Sequence, residues 1–348
     1  MPRIHHKSAL IAMSGGVDST VAAVLTQNCG IDCAGAMMKL YPERDDFDSD
    51  ARAVAGRLGI PFFVFDFSEC FAGQVIKPFI DAYRGGRTPN PCINCNKHLK
   101  FGCLLEKAHE LGRDSLVTGH YARVEHSGDG RYLLKKSEDV SKDQSYVLYL
   151  LTQEQLSHTR FPLGGLTKSE VREIAQNAGL QTAHKKESQD ICFIPDGDYA
   201  KFIADRTGET PRKGRFIDSS GADLGENRGI IGYTIGQRRG LGLAMPYPPY
   251  VIDILPESDA VVVGGDEMLY SKTLYARDIN LIPIDKLNAP LKARVKIRYK
   301  HREQPATVCQ TSDDSLRIEF DEPQRAITKG QAAVIYDGDI VIGGGTIF

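Results

Sequence analysis

The stretch Ser8–Asn28, SALIAMSGGVDSTVAAVLTQN, decides the fold of this chain. Its apolar run Ala9–Met13 predicts a buried strand, and the Ala-rich segment from Thr20 predicts a helix. The turn between them is SGGVDS, Ser14–Ser19. A strand, a glycine turn and a helix in this order direct backbone N–H groups and the positive end of the helix at one point. We therefore expect the turn to bind phosphate groups.

Asp18 is the unusual member of this turn, because a carboxylate repels phosphate unless a cation lies between them. Asp18 is therefore predicted to be a ligand of Mg²⁺. The turn is neither a Walker loop nor a dinucleotide fingerprint. SGGVDS resembles the PP-loop of the ATP pyrophosphatases, which cleave ATP between the α- and β-phosphates and adenylate a substrate. The alternative is a tight strand-to-helix turn without a ligand.

Composition limits the class of protein. A length of 348 residues predicts two or three domains, and 41% hydrophobic with 25% charged residues is typical of globular proteins. The net charge of −2 means that nucleic acid would be bound by local patches. No apolar run approaches the ~20 residues of a membrane helix, and the start is too short for a signal peptide. The sequence thus predicts a cytoplasmic protein without membrane partners.

The pattern along the chain predicts a multidomain protein. Strands alternate with helices in the first half, which predicts an α/β domain whose parallel sheet has helices on both faces and whose phosphate loop follows the first strand. Beyond Asp196 strands are short and helical periodicity is scarce, and from Thr273 the pattern is wholly β. The predicted domains are 1–195, the ATP-binding and catalytic domain, 196–268, a small β-rich central domain, and 269–348, an antiparallel β-barrel.

Three of the eight cysteines have a special setting. Cys92 and Cys95 form a C-x-x-C in GGRTPNPCINCN, Gly85–Asn96, whose prolines predict a loop. Cys192 lies in Ser188–Phe193, a hundred residues further on. Coincidence, a structural zinc that lacks a fourth ligand, a persulfide carrier with a resolving thiol, and a three-thiolate iron–sulfur cluster all stay open. The remaining cysteines are expected to be inert core residues: Cys29, Cys33, Cys70, Cys103 and Cys309.

A basic stretch lies near the C-terminus. Leu291–Arg302, LKARVKIRYKHR, carries a cation at every second position. As one strand it would place six cations on one face: Lys292, Arg294, Lys296, Arg298, Lys300 and Arg302. This face is either a solvated strand edge or a surface that follows a phosphate backbone.

Seven sequence blocks together resemble the tRNA-specific 2-thiouridylase (MnmA/TrmU) family, from Ser8 to the C-terminus. They are SGGVDS, TPNPCINCN, Thr118–Tyr121, Lys142–Tyr146, Ile191–Ile194, Thr234–Leu241 and Lys329–Ala332. The resemblance implies an enzyme, a sulfurtransferase that adenylates the C2 oxygen of the wobble uridine in the tRNA anticodon loop and replaces that oxygen with sulfur. It implies ATP and Mg²⁺ as cofactors, and tRNA with a sulfur donor protein or sulfide as partners.

The resemblance also implies roles for single residues. Cys95 matches the nucleophile that receives the persulfide, and Cys192 matches its partner cysteine. The positions that match ATP contacts are Ala12, Met13, Ser14, Gly15, Gly16, Val17, Asp18, Ser19, Met38 and Gly119. The positions that match contacts with the target base or the tRNA are Asn90, Pro91, Cys92, His120, Lys142, Asp143, Gln144, Arg298, Tyr299 and Gln331.

Cys92 departs from the family pattern, because many members carry aspartate there. The third thiol allows a hypothesis in which Cys92, Cys95 and Cys192 hold a 4Fe–4S cluster whose open iron carries the sulfur. The persulfide route stays open beside it. Two other classes also remain, a PP-loop ligase or synthetase that adenylates a small molecule and a non-catalytic RNA-binding protein. The ligase would leave the cysteines unused, and the binder would not need the ATP loop.

Overall fold

The computed structural model of the chain describes residues 7–41, 47–179 and 191–348. Residues 188–190, which precede Cys192 in the segment Ser188–Phe193, therefore lie outside the described residues. The strands are β1 Ser8–Ala12, β2 Asp32–Lys39, β3 Phe62–Asp66, β4 Ser115–Val117, β5 Ala122–His126, β6 Tyr132–Lys136, β7 Thr159–Arg160, β8 Arg215–Ile217, β9 Asp223–Glu226, β10 Tyr250–Leu255, β11 Ala260–Gly264, β12 Tyr270–Leu281, β13 Leu291–Lys296, β14 Gln304–Ser312, β15 Ser315–Arg325, β16 Ala332–Asp337 and β17 Ile340–Ile347.

Helices dominate the first half of the chain. They are α1 Val17–Asn28, α2 Ser49–Leu58, α3 Ser68–Phe71, α4 Lys77–Arg84, α5 Pro91–Asn94, α6 Leu104–Glu110, α7 Gln153–Ser157, α8 Lys168–Asn177 and α9 Tyr199–Thr207. The π-helical turns Ala72–Ile76 join α3 to α4, and Cys95–Cys103 join α5 to α6. Two long helices therefore result, Ser68–Arg84 and Pro91–Glu110.

A five-stranded parallel sheet forms the centre of the first domain, in the order β3-β2-β1-β4-β7. Alternate residues of each strand point to opposite faces, so Leu10 and Leu116 pack on one side and Ile11 and Val117 on the other. Helices α1, α2 and α8 cover one face, and the two long helices cover the other. The predicted parallel sheet with helices on both faces is confirmed.

The rest of the chain is mostly β-structure. A mixed sheet, β10-β11-β8-β9, surrounds a core of Phe216, Tyr233 and Val261. Strands β12, β15, β14, β13, β16 and β17 form an antiparallel barrel, which the β12–β17 pairing closes. The predicted small β-rich domain and C-terminal antiparallel barrel are confirmed.

Two elements differ from the sequence expectation. Helix α9 lies in the region where the sequence predicts little helix. Asp198 caps it by accepting from the Lys201 amide at 2.9 Å, and its apolar periodicity is weak because Ile203 is its one fully buried residue. The hairpin β5–β6 was also missed. It belongs to the N-terminal half but extends the barrel sheet, because Lys135 pairs with Ile340 of β17.

Candidate active site

The turn Ser14–Ser19 follows β1 and leads directly into α1. Gly15 has a left-handed φ of 70°, and a Cβ there would lie 3.0 Å from the Asp50 Cβ, so only glycine fits. The Ser14 amide donates to the Ser19 hydroxyl at 3.2 Å. Gly16, the N-cap residue, has no side chain to cap the first turn of α1. The turn therefore presents backbone donors at a helix N-terminus, the arrangement that binds phosphate.

Asp18 is paired with a lysine that the sequence analysis missed. Its Oδ1 accepts from Lys168 Nζ at 2.6 Å and from the Tyr121 hydroxyl at 2.9 Å. Lys168 begins α8, behind a capping box formed by Thr167 and Glu170. The capping box is a local signal for the start of the helix. No local pattern shows that Lys168 contacts Asp18, which lies 150 residues earlier in the chain.

The other predicted ATP contacts lie at the same carboxyl edge of the sheet. Met13 follows β1 and donates its amide to the Ala36 carbonyl of β2 at 2.8 Å, and Met38 lies near the end of β2. Gly119 follows β4, and a Cβ there would lie 2.7 Å from the Ser19 nitrogen and 2.8 Å from the Asp18 carbonyl carbon. Gly119 thus packs directly against the start of α1, and no larger residue fits without moving the loop.

His120 connects this edge to the cysteines. It is buried between the rings of Phe101 and Phe161. Its Nδ1 lies 2.7 Å from the Thr118 hydroxyl, and its Nε2 lies 3.5 Å from Lys100 Nζ. Burial, aided by the Lys100 charge, holds the pKa of His120 well below its ordinary value, so the imidazole is neutral.

Cys92 and Cys95 lie at the start of a helix, which corrects the predicted loop. Pro91 occupies the first helical position, where its missing N–H costs nothing. Asn90 caps the helix by accepting from the Cys92 amide at 3.1 Å. The prolines therefore mark a helix start, and only the residues before Pro91 form a loop.

The structure brings the three predicted thiols into one electrostatic neighbourhood. Desolvation raises the pKa of Cys92, Cys95 and Cys192, that of Cys95 to about 11, while the Lys100 ammonium acts against this in each case. Lys100 was missed by the sequence analysis. It follows Cys95 by five residues, which is the hydrogen-bond spacing of the π-helical turns here. At neutral pH the resting thiols are protonated, with one cation beside them.

The arrangement of these thiols does not fit a metal cluster. Residues 7–41, 47–179 and 191–348 contain no group of three or more His, Cys, Asp or Glu side chains placed to hold a metal ion. The eight cysteines are free thiols. In this arrangement the ligand set of a 4Fe–4S cluster is not formed by Cys92, Cys95 and Cys192.

The segment 142–146 lies between the sheet and the barrel. The buried Asp143 carboxylate accepts from the amides of Ser137 and Ser145, at 3.1 and 3.3 Å. Gln144 exchanges hydrogen bonds with the Tyr121 backbone, at 2.9 and 3.0 Å. Lys142 is half-buried in the turn before them. Asp143 and Gln144 therefore hold this segment in place in the free protein.

The barrel supplies further predicted residues to the same region. Burial raises the pKa of Tyr299, with contributions from nearby Asp143 and Cys92. Arg298 donates to the Arg325 carbonyl at 3.1 Å. Gln331 donates to the Thr88 carbonyl at 2.7 Å, so the barrel holds the loop that precedes Cys92. Tyr299 and Gln331 thus approach this helix start from the barrel side.

The basic stretch does not form the expected six-cation strand face. Strand β13 ends at Lys296, so the three later cations lie in the turn and loop that follow. Val295 and Ile297, which alternate with the cations, are buried. Acids from outside the stretch approach the cations: Glu303 lies 3.9 Å from Arg294 and Asp321 lies 3.7 Å from Lys292. The patch is therefore less positive than its sequence suggested.

Three family models match consecutive parts of the chain. Residues 7–196 match the tRNA methyl transferase HUP domain, residues 200–265 the tRNA methyl transferase PRC-barrel domain, and residues 271–347 the aminomethyltransferase beta-barrel domain. The first model alone covers more than half of the chain.

Curated relatives match over nearly their whole length. The chain is 49% identical to the tRNA-specific 2-thiouridylase MnmA of Clostridioides difficile, with 98% of each chain covered. It is 47% identical to the MnmA of Acetivibrio thermocellus, with 98% and 99% covered. Among solved structures, a 4-thiouridine synthetase–RNA complex with bound ATP matches at 18% identity and a TM-score of 0.37, over 55% of this chain and 46% of that one.

Proposed function

Since the chain belongs to the tRNA-specific 2-thiouridylase family, we propose that it adenylates the C2 oxygen of the wobble uridine in tRNA and replaces that oxygen with sulfur. It is a tRNA-uridine 2-sulfurtransferase that uses ATP. The uridine oxygen is a poor leaving group, and transfer of the AMP group of ATP onto this oxygen, with release of pyrophosphate, makes it a good one. Sulfur can then displace AMP at C2.

One structural observation supports this assignment most strongly. Gly119 packs against the backbone of Asp18 and Ser19, and the next residue, His120, contacts Lys100 beside the cysteines. A dipeptide thus joins the ATP-type loop to the thiols. Adenylation and sulfur delivery need a shared substrate position, and adjacency of the two sites provides one.

The loop would bind the phosphates of ATP through its backbone amides and the start of α1. Lys168 would add a positive charge and hold Asp18 in position. The Asp18 carboxylate fits Mg²⁺, which proteins commonly bind through one or two carboxylates together with substrate phosphates. The ion would neutralise phosphate charge. Ala12, Met13 and Met38 would border the rest of the nucleotide at this edge of the sheet.

Sulfur would be carried as a persulfide on Cys95. Its terminal sulfur attacks C2 and AMP leaves with the oxygen. The Cys192 thiolate then attacks Cys95 Sγ and breaks the bond to the transferred sulfur, which leaves 2-thiouridine and a Cys95–Cys192 disulfide. The high pKa of Cys95 keeps the resting thiol protonated. Lys100 would favour the thiolate form when sulfur arrives.

The tRNA would lie against the helix start and the barrel. Asn90, Pro91 and Cys92 would meet the target base, with Tyr299 beside them. An unstacked wobble base suits such a site, because loop nucleotides flip at low cost. The other residues proposed for the tRNA site are His120, Lys142, Asp143, Gln144, Arg298 and Gln331. His120 is buried in the free protein, so its role would be to support the site from within.

The persulfide route needs a donor of sulfane sulfur, so the donor would be a sulfur donor protein that itself carries a persulfide, since sulfide alone would need a two-electron oxidant. We propose the cytoplasm as the location. None of the described helices is long and apolar enough to cross a membrane.

ATP–pyrophosphate exchange tests the proposed function. Exchange that depends on tRNA supports it. Exchange without tRNA would instead support a ligase that adenylates a small molecule, and absence of exchange would support an RNA-binding protein without catalysis.

A further inference from the structure

Two more cysteines face each other outside the proposed reaction site. Sγ of Cys70 lies 3.2 Å from Sγ of Cys103, and both residues are half-buried. A disulfide places the two sulfurs about 2.05 Å apart, so the pair must close by about 1.2 Å to form one. Both were expected to be inert core residues. At this separation the two thiols instead form a pair that needs only a small movement to become a disulfide.

The pair joins the two elements that carry the reacting thiols. Cys103 ends the π-helical turns that begin at Cys95, on the same long helix. Cys70 precedes Phe71, whose ring packs edge-on at 5.5 Å against Phe193, the neighbour of Cys192. One partner of the dithiol thus shares a helix with Cys95, and the residue that follows the other packs against Phe193, next to Cys192.

The electrostatics place Cys70 near the reaction site as well. A charge on Cys70 would raise the pKa of Cys95, so the two residues lie within interaction range. Burial, with the contact to Cys70, raises the pKa of Cys103 to about 11. The Cys103 thiol is therefore not stabilised as a thiolate, which favours its conversion to the disulfide relative to a low-pKa thiol.

We propose that Cys70 and Cys103 form a second redox site that takes over the disulfide made between Cys95 and Cys192. This rests on the proposed function, because sulfur transfer from the persulfide generates that disulfide. The Cys70 thiolate attacks Cys95 Sγ, and Cys192 leaves as a thiolate and takes up a proton. Cys103 then attacks Cys70 Sγ and releases Cys95. Two electrons pass from the dithiol to the reacting pair, and no external reductant is used.

The consequence is that the reacting cysteines are restored inside the protein after sulfur transfer. Cys192 is exposed, but Cys95 is half-buried, so a reductant from solvent meets the Cys95 sulfur less easily than a neighbouring thiol does. Reduction of the Cys70–Cys103 disulfide would then be needed only before a later turnover, after the reacting pair is already free.

A single turnover tests the proposal. The full-length reduced protein, loaded with sulfur from polysulfide and freed of excess, is mixed with ATP, Mg²⁺ and tRNA without reductant. It is then quenched in acid, alkylated and mapped by non-reducing peptide mass spectrometry. The wild type is expected to lose alkylation at Cys70 and Cys103 and to show their disulfide. Cys103→Ser should trap a Cys70–Cys95 disulfide, and Cys70→Ser should retain Cys95–Cys192.

The controls distinguish failure of the redox proposal from failure of the proposed function. Cys309→Ser, in β14 of the barrel, should match the wild type. Formation of 2-thiouridine with Cys70 and Cys103 still fully alkylated would overturn the redox site alone. Absence of 2-thiouridine in the wild type would overturn the proposed function, and the redox proposal with it. The Ser variants are compared only where they still form 2-thiouridine in the first turnover, and two independent variants guard against a loss of folding.

Discussion

Lys168 and Asp18 form an ion pair of 2.6 Å across 150 residues of chain, at the first turn of α1, the helix into which the nucleotide loop leads. The lysine side chain is 10% exposed and the aspartate side chain 32% exposed. An ion pair in such a position holds its carboxylate in one orientation. It also adds a positive charge where phosphate would bind.

Lys168 and Asp18 should be measurably coupled in their contributions to the free energy of unfolding. Lys168→Met and Asp18→Asn in a double-mutant cycle should give a coupling free energy of about 1 to 2 kcal/mol in unfolding, because hydrogen bonds to charged, partly buried groups are stronger than exposed ones. Urea unfolding of the four proteins measures it. Each single variant should also weaken ATP binding.

The matched control is Lys77→Met with Asp81→Asn, an exposed pair at 2.7 Å on α4. Such pairs contribute about 0.3 to 0.5 kcal/mol. If the Asp18–Lys168 coupling is no larger than that of the control pair, Lys168 does not position Asp18.

This pair shows where the sequence was sufficient and where it was not. The strand–turn–helix of Ser14–Ser19 is local, so its residues predicted both the fold of the first domain and the loop. The partner of Asp18 depends on the packing of α8 against α1, which no short pattern encodes. For the same reason the role of Lys100 and the contact between Cys70 and Cys103 became visible only in the structure.

Two errors of the sequence analysis also have identifiable physical causes. Proline breaks a helix only in its interior, so Pro91 at the first helical position marked a start. The basic stretch was interpreted as one strand, but β13 ends at Lys296. The acids that approach its cations come from other parts of the barrel, such as Glu303 and Asp321.

The reactivity of Cys95 should depend steeply on pH. Its pKa of about 11 means that the thiolate fraction rises with pH throughout the neutral range. Alkylation of Cys95 by iodoacetamide should therefore speed up about tenfold per pH unit between about pH 7 and 10. Peptide mass spectrometry of timed samples measures the rate.

Lys100→Met should shift this alkylation profile to higher pH, because the ammonium opposes the rise of the Cys95 pKa. Lys97→Met, on the same π-helical turns, is the control and should leave the profile in place. A profile that stays unchanged in Lys100→Met would show that the ammonium does not act on the thiol.

Stability should fall in mild acid through His120. Its pKa is well below the ordinary value in the folded protein, so the unfolded chain binds a proton near pH 6.5 that the folded chain does not. The contribution of neutral His120 to the free energy of unfolding is complete above about pH 6.5. It is lost as the pH falls below that value, by up to about 1.4 kcal/mol per pH unit. Urea unfolding from pH 7.5 to 5 measures the slope.

The comparison is with His120→Asn, which cannot titrate. Its unfolding free energy is expected to be lower at all pH values but to change less between pH 6.5 and 5. An identical slope in the two proteins would mean that His120 is protonated in the fold.

Binding of tRNA should depend on salt through the barrel cations. Arg294→Ala is expected to weaken binding and to lower the slope of log K against log salt by about 1, since a phosphate contact releases about one counterion. Titrations of tRNA between about 50 and 200 mM salt measure it. Lys107→Ala, whose partner Glu110 lies on the same helix, should leave the slope unchanged. An unchanged slope in Arg294→Ala would assign that side chain to solvation and to its contact with Glu303.

The central claim is that one site adenylates tRNA and delivers sulfur from Cys95. The most direct measurement is nucleoside mass spectrometry of tRNA after incubation with ATP, Mg²⁺ and protein that has been loaded with sulfur from polysulfide and freed of excess, using the wild type and Cys95→Ser, with ATP–pyrophosphate exchange recorded on the same samples. The account predicts 2-thiouridine with the wild type only and tRNA-dependent exchange with both proteins. Undiminished 2-thiouridine with Cys95→Ser, or none with an exchange-active wild type, would contradict it.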